Sequence, residues 1–139
     1  MTTGDSFARQ VLSPDGWAAP RGYSNGVVAS GRFVSLAGQI GWNPATATFD
    51  TDDFVMQVRQ ALANVRALLD VAGAQPAHLV RLTWFITDRD LYLASLKPVG
   101  AAYREVLGAH YPPMSVVVVA GLVETRALVE IEATAVIPQ

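Results

Sequence analysis

Two glutamates, Glu130 and Glu132, stand two residues apart in the run from Leu128 to Val136, where apolar and polar residues alternate strictly. Such alternation is typical of a β-strand and would put both carboxyls on one of its faces. A carboxylate in this position can accept a proton from water and direct that water at an electrophile. Two glutamates on an apolar strand can also simply face solvent or a neighbouring subunit. These residues alone leave both interpretations open.

The other reactive residue types narrow the possible chemistry. The chain has no cysteine, which excludes thiol catalysis, disulfides and thiolate metal sites. Its two histidines, His78 and His110, lie far apart and outside any ligand-spacing motif, so we predict no metal site. Arginines and lysines are scattered singly from Arg9 to Arg126, and the net charge is −2. This charge distribution favours no nucleic-acid partner.

Length and composition predict a single domain over residues 1–139, in which residues 1–19 form an N-terminal segment. Hydrophobic residues make up 51% and charged residues 16%, more apolar surface than a small monomer easily hides. We therefore expect an oligomer. No apolar run approaches the length of a membrane span, and the first 17 residues contain no signal-peptide core. A cytoplasmic protein without a membrane partner is the expectation.

The first half of the chain has the pattern of two strands followed by a long helix. Apolar and β-branched residues fill 24–29 and 32–39, and Gly31 between them is suited to a turn, which predicts a β-hairpin. From Phe54 to Ala72 apolar residues recur at spacings of three and four, which predicts an amphipathic helix. Gly73 follows where a left-handed cap would end that helix.

The second half predicts three further strands and one helix. Residues 79–87 read as a central strand with one face formed by Val80, Leu82, Trp84 and Ile86. A helix over 96–107 would begin after Ser95 as N-cap, which puts Pro98 in the first turn, where its missing N–H costs little. Strands are predicted over 114–120 and 128–136.

These elements together predict an α+β fold with one sheet and two helices on one of its faces. An additional N-terminal strand is predicted around residues 7–12. The run from Ser115 to Val119 is apolar on both faces of its strand, so the sheet face without helices needs a cover. We expect partner subunits to provide it.

Several segments together resemble the RidA/YjgF family of reactive-intermediate deaminases. They are "GYSNGVVASGRFVSLAGQIGWNP", "QALANVRALLDVAGA", "VRLTWFITD", "AAYREVLG", "YPPMSVVVVAGL" and "ALVEIEATAVIP", in the family's order and at roughly its spacing from Pro20 to Pro138. The resemblance implies a chorismate-mutase-like fold with a mixed β-sheet, assembled as a homotrimeric barrel. It further implies small-molecule ligands in three clefts between subunits, and neither metal nor cofactor.

The resemblance also assigns roles to individual residues. Archetypal members hydrolyse enamines and imines such as 2-aminoacrylate to 2-keto acids and ammonia. In them an arginine in a "PxR[ST]" context fixes the substrate carboxylate, a glutamate helps to position water, and a tyrosine closes the cleft. By this correspondence Glu130 is the catalytic candidate, and Tyr23 and Gly38 are substrate-binding candidates. The family's serine before that glycine is Ala37 here, and its arginine is Met114.

The replacement at Met114 is the main departure from the family pattern. A guanidinium holds a carboxylate through two parallel charge-assisted hydrogen bonds, whereas a thioether offers dispersion and a weak acceptor. Trp42 and Val116 are further candidates for lining the cleft, and Arg21 or Arg126 could supply the missing charge from a nearby loop.

The sequence thus predicts a hydrolytic deaminase of the 2-iminobutanoate/2-iminopropanoate type whose substrate preference is shifted by Met114. The alternative is a trimer that binds a small molecule or regulates a partner without catalysis. Because fold similarity does not establish activity, both predictions stay open.

Overall fold

A four-stranded mixed sheet forms the centre of the computed structural model, which describes residues 9–139. Its strands are β3 (Arg32–Ile40), β4 (Leu79–Ile86), β5 (Met114–Val118) and β6 (Val129–Ile137), in the spatial order β3-β6-β4-β5. Strand β6 runs antiparallel to both β3 and β4, whereas β4 and β5 are parallel. A parallel pair needs a crossover connection, and helices provide it here. The sheet and its helices confirm the predicted α+β class.

The N-terminal strands pair differently from the prediction. Strand β1 (Arg9–Leu12) pairs antiparallel with β2 (Gly26–Ala29) in a separate two-stranded sheet. This confirms the predicted additional strand from Arg9 onward, while its first residues, Phe7 and Ala8, lie outside the described residues. The predicted hairpin between β2 and β3 is wrong, because β2 pairs with β1 and β3 pairs with β6.

Gly31 explains why the turn signal before β3 was misleading. Its φ of 147° lies in a region that favours glycine, and a Cβ there would lie 2.8 Å from the carbonyl carbon of Ile137. The neighbouring Arg32 pairs with Ile137 in the β3–β6 ladder. The glycine therefore permits a close approach between the start of β3 and the end of β6, and it does not mark a two-strand hairpin.

Helix α1 (Phe54–Ala72) covers one face of the sheet. The side chain of Asp53 accepts a hydrogen bond of 3.0 Å from the backbone N–H of Met56, which caps the first turn. Gly73 ends the helix in the left-handed conformation with φ 75°. The buried stripe of the helix, spaced at three and four residues, consists of Val58, Ala61, Leu62, Val65 and Leu69.

Two further helices follow β4. The short α2 (Arg89–Ala94), which the sequence analysis missed, is capped by the side chain of Asp88, which accepts a hydrogen bond of 3.0 Å from the backbone N–H of Leu91. Helix α3 (Leu96–Leu107) has the predicted bounds, packs against α1, and ends at Gly108. A 3₁₀ turn, Pro76–His78, leads from α1 into β4. Among residues 9–139, no helix is long and apolar enough to cross a membrane.

The core lies between the helices and the face of the sheet that they cover. On β6 this face consists of Val129, Ile131, Ala133 and Ala135, all buried. On β4 it consists of Leu82, Trp84 and Ile86 as predicted. Leu79 and not Val80 continues it, because the β4–β6 register shifts between Leu79 and Arg81. Glu130 and Glu132 consequently belong to the opposite face.

Gln57 on α1 joins the loop after β3 to the start of β6. Its side chain is fully buried and donates hydrogen bonds to the carbonyl oxygens of Thr51 at 3.1 Å and Arg126 at 3.0 Å. It also accepts a bond of 2.9 Å from the backbone N–H of Leu128. Gly41 allows the contact, because a Cβ there would lie 2.6 Å from the Cα of Gln57.

We predict that Gln57→Ala lowers the free energy of unfolding by roughly 2–5 kcal/mol, since it leaves three partly buried backbone groups without their partners and opens a cavity. Urea denaturation followed by circular dichroism at a fixed protein concentration would measure this. Met56→Ala, which truncates the adjacent and 48% exposed side chain, is the control. Equal losses in the two variants would contradict the role given to Gln57.

Candidate active site

A cavity of about 420 Å³ lies between α3, the β4–β5 edge of the sheet and the turn before β2. Its walls are apolar and aromatic except for two arginines. Within residues 9–139 the lining residues are Arg21, Gly22, Trp84, Tyr92, Leu96, Val99, Gly100, Tyr103, Arg104, Tyr111, Met114 and Val116. No carboxylate is among these lining residues, so the charge of the cavity wall is positive.

The register between β4 and β5 explains why Met114 and Val116 line this cavity. Met114 pairs with Leu82 and Val116 with Trp84 in the parallel β4–β5 ladder. Paired residues share a face, so both candidates lie on the helix-covered face. Because β5 is the last strand on this side of the four-stranded sheet, their side chains are only partly buried. The structure therefore brings two of the predicted substrate-binding residues into one concave site.

Three tyrosines line the cavity, and Tyr103 also orders the loop that leads into β5. Its hydroxyl donates a hydrogen bond to the backbone oxygen of His110, and its ring stacks on Tyr111 at a centroid distance of 5.3 Å. Burial raises the pKa of Tyr103 well above its ordinary value, and the neighbouring Tyr111 adds to this effect. Burial also raises the pKa of Tyr92. These shifts keep the phenols of Tyr92 and Tyr103 protonated to higher pH than in the unfolded chain.

The two cationic side chains of the cavity wall come from different elements. Arg21 lies in the turn before β2, next to Gly22, whose φ of 75° allows the turn to bend sharply. Arg104 lies on α3, one helical turn after Gly100. The three ion pairs among the described residues use other arginines, Arg59, Arg66 and Arg126. Arg21 and Arg104 therefore take part in none of these three ion pairs.

Glu130 lies on the opposite face of the sheet from Met114. It pairs with Phe85 of β4 and with Ile40 of β3, and its side chain is half-buried. The β3–β6 register shifts between Leu36 and Gln39, and the carboxyl of Glu130 lies over Gly38 at this irregularity. A Cβ at position 38 would lie 2.7 Å from Glu130 Cδ and 2.8 Å from its Cγ.

The remaining predicted site residues are spread over three places. Ala37 is exposed at the same irregularity of β3, and its carbonyl accepts a bond of 3.0 Å from the side chain of Gln39. Tyr23 is 42% exposed in the turn that also carries Arg21. Trp42 lies in the loop after β3, its backbone oxygen bound by the Asn64 side chain at 3.1 Å. A single chain therefore does not gather all the candidates.

Arg126, one of the two proposed replacements for the missing charge, is occupied elsewhere. Its guanidinium pairs with Asp52 at 2.9 Å and lies 5.4 Å from the ring centroid of Phe49. Of the two replacements, only Arg21 lines the cavity that contains Met114. Within residues 9–139, no three histidine or carboxylate side chains are grouped so that they could hold a metal ion.

Comparison with known proteins identifies the family. The family model described as endoribonuclease L-PSP matches residues 15–137. A RutC family protein of Haemophilus influenzae is 38% identical over 106 residues, which cover 76% of this chain and 80% of that protein. The crystal structure of YyfB from Yersinia pestis, described as belonging to the conserved Rid protein family, superposes with a TM-score of 0.82. Its sequence identity is 34%, over 94% of this chain and 99% of that one.

The chain belongs to the RidA/YjgF family. Another relative, from Capra hircus, is named 2-iminobutanoate/2-iminopropanoate deaminase and is 28% identical over 131 residues. The alignment covers 94% of this chain and 92% of that protein. The predicted family membership is confirmed.

Gly100 and Arg104 are among the cavity residues of this RidA/YjgF member that sequence reasoning missed. Gly100 lies inside the predicted helix over 96–107, where glycine costs about 1 kcal/mol relative to alanine. Its spacing of four from Arg104 is the signal that could have been used, since residues four apart lie on the same helix face. The two replacements for the missing charge that the sequence predicts, Arg21 and Arg126, both lie in loops, whereas Arg104 lies on a helix.

We predict that Gly38→Ala leaves the protein folded but displaces the carboxyl of Glu130, because a methyl group would overlap the present position of that side chain. The expected loss of stability is roughly 1–3 kcal/mol, as for overpacking. A crystal structure and a thermal melt of the variant would measure both effects. Gly121→Ala is the matched control, since a Cβ there meets nothing within 4 Å. An unmoved Glu130 in Gly38→Ala would contradict the close packing.

The raised pKa of Tyr103 makes a prediction for alkaline conditions. In the unfolded chain the phenol loses its proton near pH 10, whereas the folded protein holds it to higher pH. The stability that the folded protein gains from the protonated Tyr103 is fully present below pH 10 and is lost as the pH rises above 10. We expect Tyr103→Phe to be less stable by about 1 kcal/mol at pH 8, through the lost hydrogen bond. The stability of the variant should also fall less steeply above pH 10.

Urea denaturation at a series of pH values from 8 to 11 would compare wild type with Tyr103→Phe. Tyr23→Phe, which changes an exposed tyrosine, serves as the control. Identical alkaline slopes for wild type and Tyr103→Phe would show that the phenol of Tyr103 is not held neutral by the fold.

Proposed function

We propose that this chain is a hydrolase of the RidA/YjgF family that converts imines or enamines to carbonyl compounds and ammonia. The observation that carries the proposal is the position of Glu130, a half-buried carboxylate held against Gly38 and used in none of the ion pairs among the described residues. The relative from Capra hircus, which is named an imine deaminase, supports the same reaction class.

The proposed role of Glu130 is to orient and deprotonate the attacking water. The carboxylate accepts a proton as the water oxygen forms a bond to the imine carbon, and the C=N bond becomes a C–N single bond. The same carboxyl returns the proton to the nitrogen, which gives a carbinolamine. It then takes the hydroxyl proton of the carbinolamine and passes it to the nitrogen, so that the C–N bond breaks and ammonia leaves as the carbonyl forms. One water is consumed for each ammonia released. The contact with Gly38 supports this role, because it limits the positions open to the carboxyl.

A complete site would require two copies of the chain. Met114 lines the cavity on the helix-covered face of the sheet, and Glu130 lies on the other face, so one copy does not bring them together. The open face carries exposed apolar side chains, including Phe33 at 71% exposure and Val117 at 40%. Such a face favours association with further copies. We propose a homotrimer whose clefts combine the cavity of one subunit with Glu130 of its neighbour.

Met114 is proposed to shift the substrate preference of this hydrolase. At this position the side chain contributes dispersion contacts instead of a bidentate grip on a small carboxylate. Because Met114 lines the open cavity, a longer side chain there has room to extend. An imine derived from alanine should therefore be a poor substrate for the wild type and a better one after substitution by arginine.

A second candidate function is binding without turnover. The observation in its favour is that no carboxylate lines the cavity within residues 9–139, so a ligand in an isolated subunit would meet no general base. In this case the trimer would sequester a small molecule or present it to a partner protein. The two functions differ in whether ammonia is produced.

The test is the rate of hydrolysis of 2-iminopropanoate, generated by an amino-acid oxidase and measured against spontaneous decay. We predict slow hydrolysis by the wild type and a gain in kcat/KM of about tenfold or more in Met114→Arg, since one charged hydrogen bond contributes about 1.5–3 kcal/mol. Met114→Leu is the control of similar volume and should match the wild type. Met114→Arg with Glu130→Ala should return to the background rate.

Sedimentation and thermal melts must accompany these rates. Fast hydrolysis by the wild type would contradict the assigned effect of Met114. An inert Met114→Arg variant that is folded and trimeric would favour the binding function. A monomeric wild type at micromolar concentration would contradict the shared cleft.

A further inference from the structure

The cavity wall formed by α3 contains a glycine, Gly100, and a guanidinium, Arg104, which forms none of the ion pairs among residues 9–139. Gly100 lies in the middle of this twelve-residue helix, where glycine is unfavourable. A Cβ at Gly100 would meet a single group within 4 Å, Nη1 of Arg104 at 3.4 Å. The guanidinium of Arg104 thus lies back along the helix over the space that Gly100 leaves open. Both residues line the cavity.

The surroundings of Arg104 leave its charge available. The adjacent carboxylate, Glu105, forms an ion pair with Arg59 of α1. The cavity wall contains a second guanidinium, Arg21, and no carboxylate within the part of the chain that the structure describes. An anion entering the cavity would therefore meet two cations and no fixed negative charge among these residues. Arginine is well suited to a carboxylate, because its planar fork can donate two parallel hydrogen bonds.

The rest of the cavity favours an apolar body. Trp84 is 3% exposed and lines the cavity, as do the stacked rings of Tyr103 and Tyr111. Met114 adapts its shape readily to an apolar group, since its unbranched side chain is flexible. The volume of about 420 Å³ falls within the ~300–1,000 Å³ typical of pockets that hold drug-sized ligands. A three-carbon acid would leave much of this space unfilled.

We propose that the cavity binds a carboxylate that carries an aromatic or branched apolar group. Arg104, assisted by Arg21, holds the carboxylate from the α3 side, and Trp84 and Met114 pack against the apolar group. Gly100 leaves open the space over which the guanidinium of Arg104 lies. This names the substrate class of the proposed hydrolase and rests on that function for turnover only, because binding can be measured without any reaction.

Isothermal titration calorimetry with three stable probes tests the proposal. Phenylacetate has both the ring and the carboxylate, benzyl alcohol has the ring alone, and acetate has the carboxylate alone. We expect phenylacetate to bind at least about tenfold more tightly than either of the others, since each lacks one of the two interactions. Benzyl alcohol binding as tightly as phenylacetate would overturn the role of the arginines.

Two substitutions in α3 distinguish a specific role of Arg104 from a general effect of positive charge on the affinity for phenylacetate. Arg104→Gln is expected to weaken phenylacetate binding about tenfold or more, by loss of a charged hydrogen bond. Lys97→Gln removes the same charge from an exposed position of the same helix and should change the affinity less than about twofold. Equal effects of the two substitutions would overturn the assignment of Arg104.

A third variant, Gly100→Leu, tests the space over α3. Leucine favours a helix more than glycine does, so the melting temperature should not fall, yet its side chain would occupy the cavity and weaken phenylacetate binding. Unchanged affinity in a folded Gly100→Leu protein would overturn the proposed position of the carboxylate beside α3. None of these measurements depends on hydrolysis, so an inactive protein that binds phenylacetate through Arg104 would contradict the proposed reaction and leave this inference standing.

Discussion

The packing of α1 on one face of the sheet is the constraint from which the rest of the site follows. Val58, Leu62 and Leu69 are fully buried, and they commit that face to the core. Because side chains alternate along a strand, every second residue of β4, β5 and β6 is then directed to the helices and the others to the open face. Met114 is one of the residues that face the helices, and Glu130 is one of those on the open face. No local rearrangement short of a register slip could bring them to one face of a single subunit.

The cavity exists because this layer of helices is incomplete at β5. Helix α1 contacts β3 and β6, and α3 packs beside α1, so the β5 end of the sheet is covered only in part. Glycine at position 100 widens the gap at a cost of about 1 kcal/mol in helix propensity. The buried core supplies that stability, since Val99, Tyr103 and Leu107 on the same helix are nearly inaccessible. The burial of these side chains thus offsets the cost of glycine at position 100, where the lack of a side chain widens the cavity.

The sequence predicted the elements better than their partners or the site. Periodicity placed α1 and α3 correctly, because an amphipathic stripe and its caps are local features. Pairing is not local: Gly31 marked a close approach to Ile137, more than a hundred residues away, and was interpreted as a hairpin turn. For the site, the sequence offered Met114 and Val116 as candidates for a cleft between subunits, and both line the cavity of the single chain. Arg104 could not be found in this way, because its role depends on how α3 sits over β5.

The charges of the cavity and the methionine at position 114 are physically related. A guanidinium at that position would line the same cavity as Arg21 and Arg104, and like charges that are close together repel one another. Without an anion to separate them, three cations would destabilise the empty site. A neutral side chain at 114 removes this repulsion while two cations remain on the other walls. A neutral residue at position 114 is therefore compatible with the two cations of the cavity. In the proposed complex the anion is held from the helix side, and its apolar group rests on the sheet.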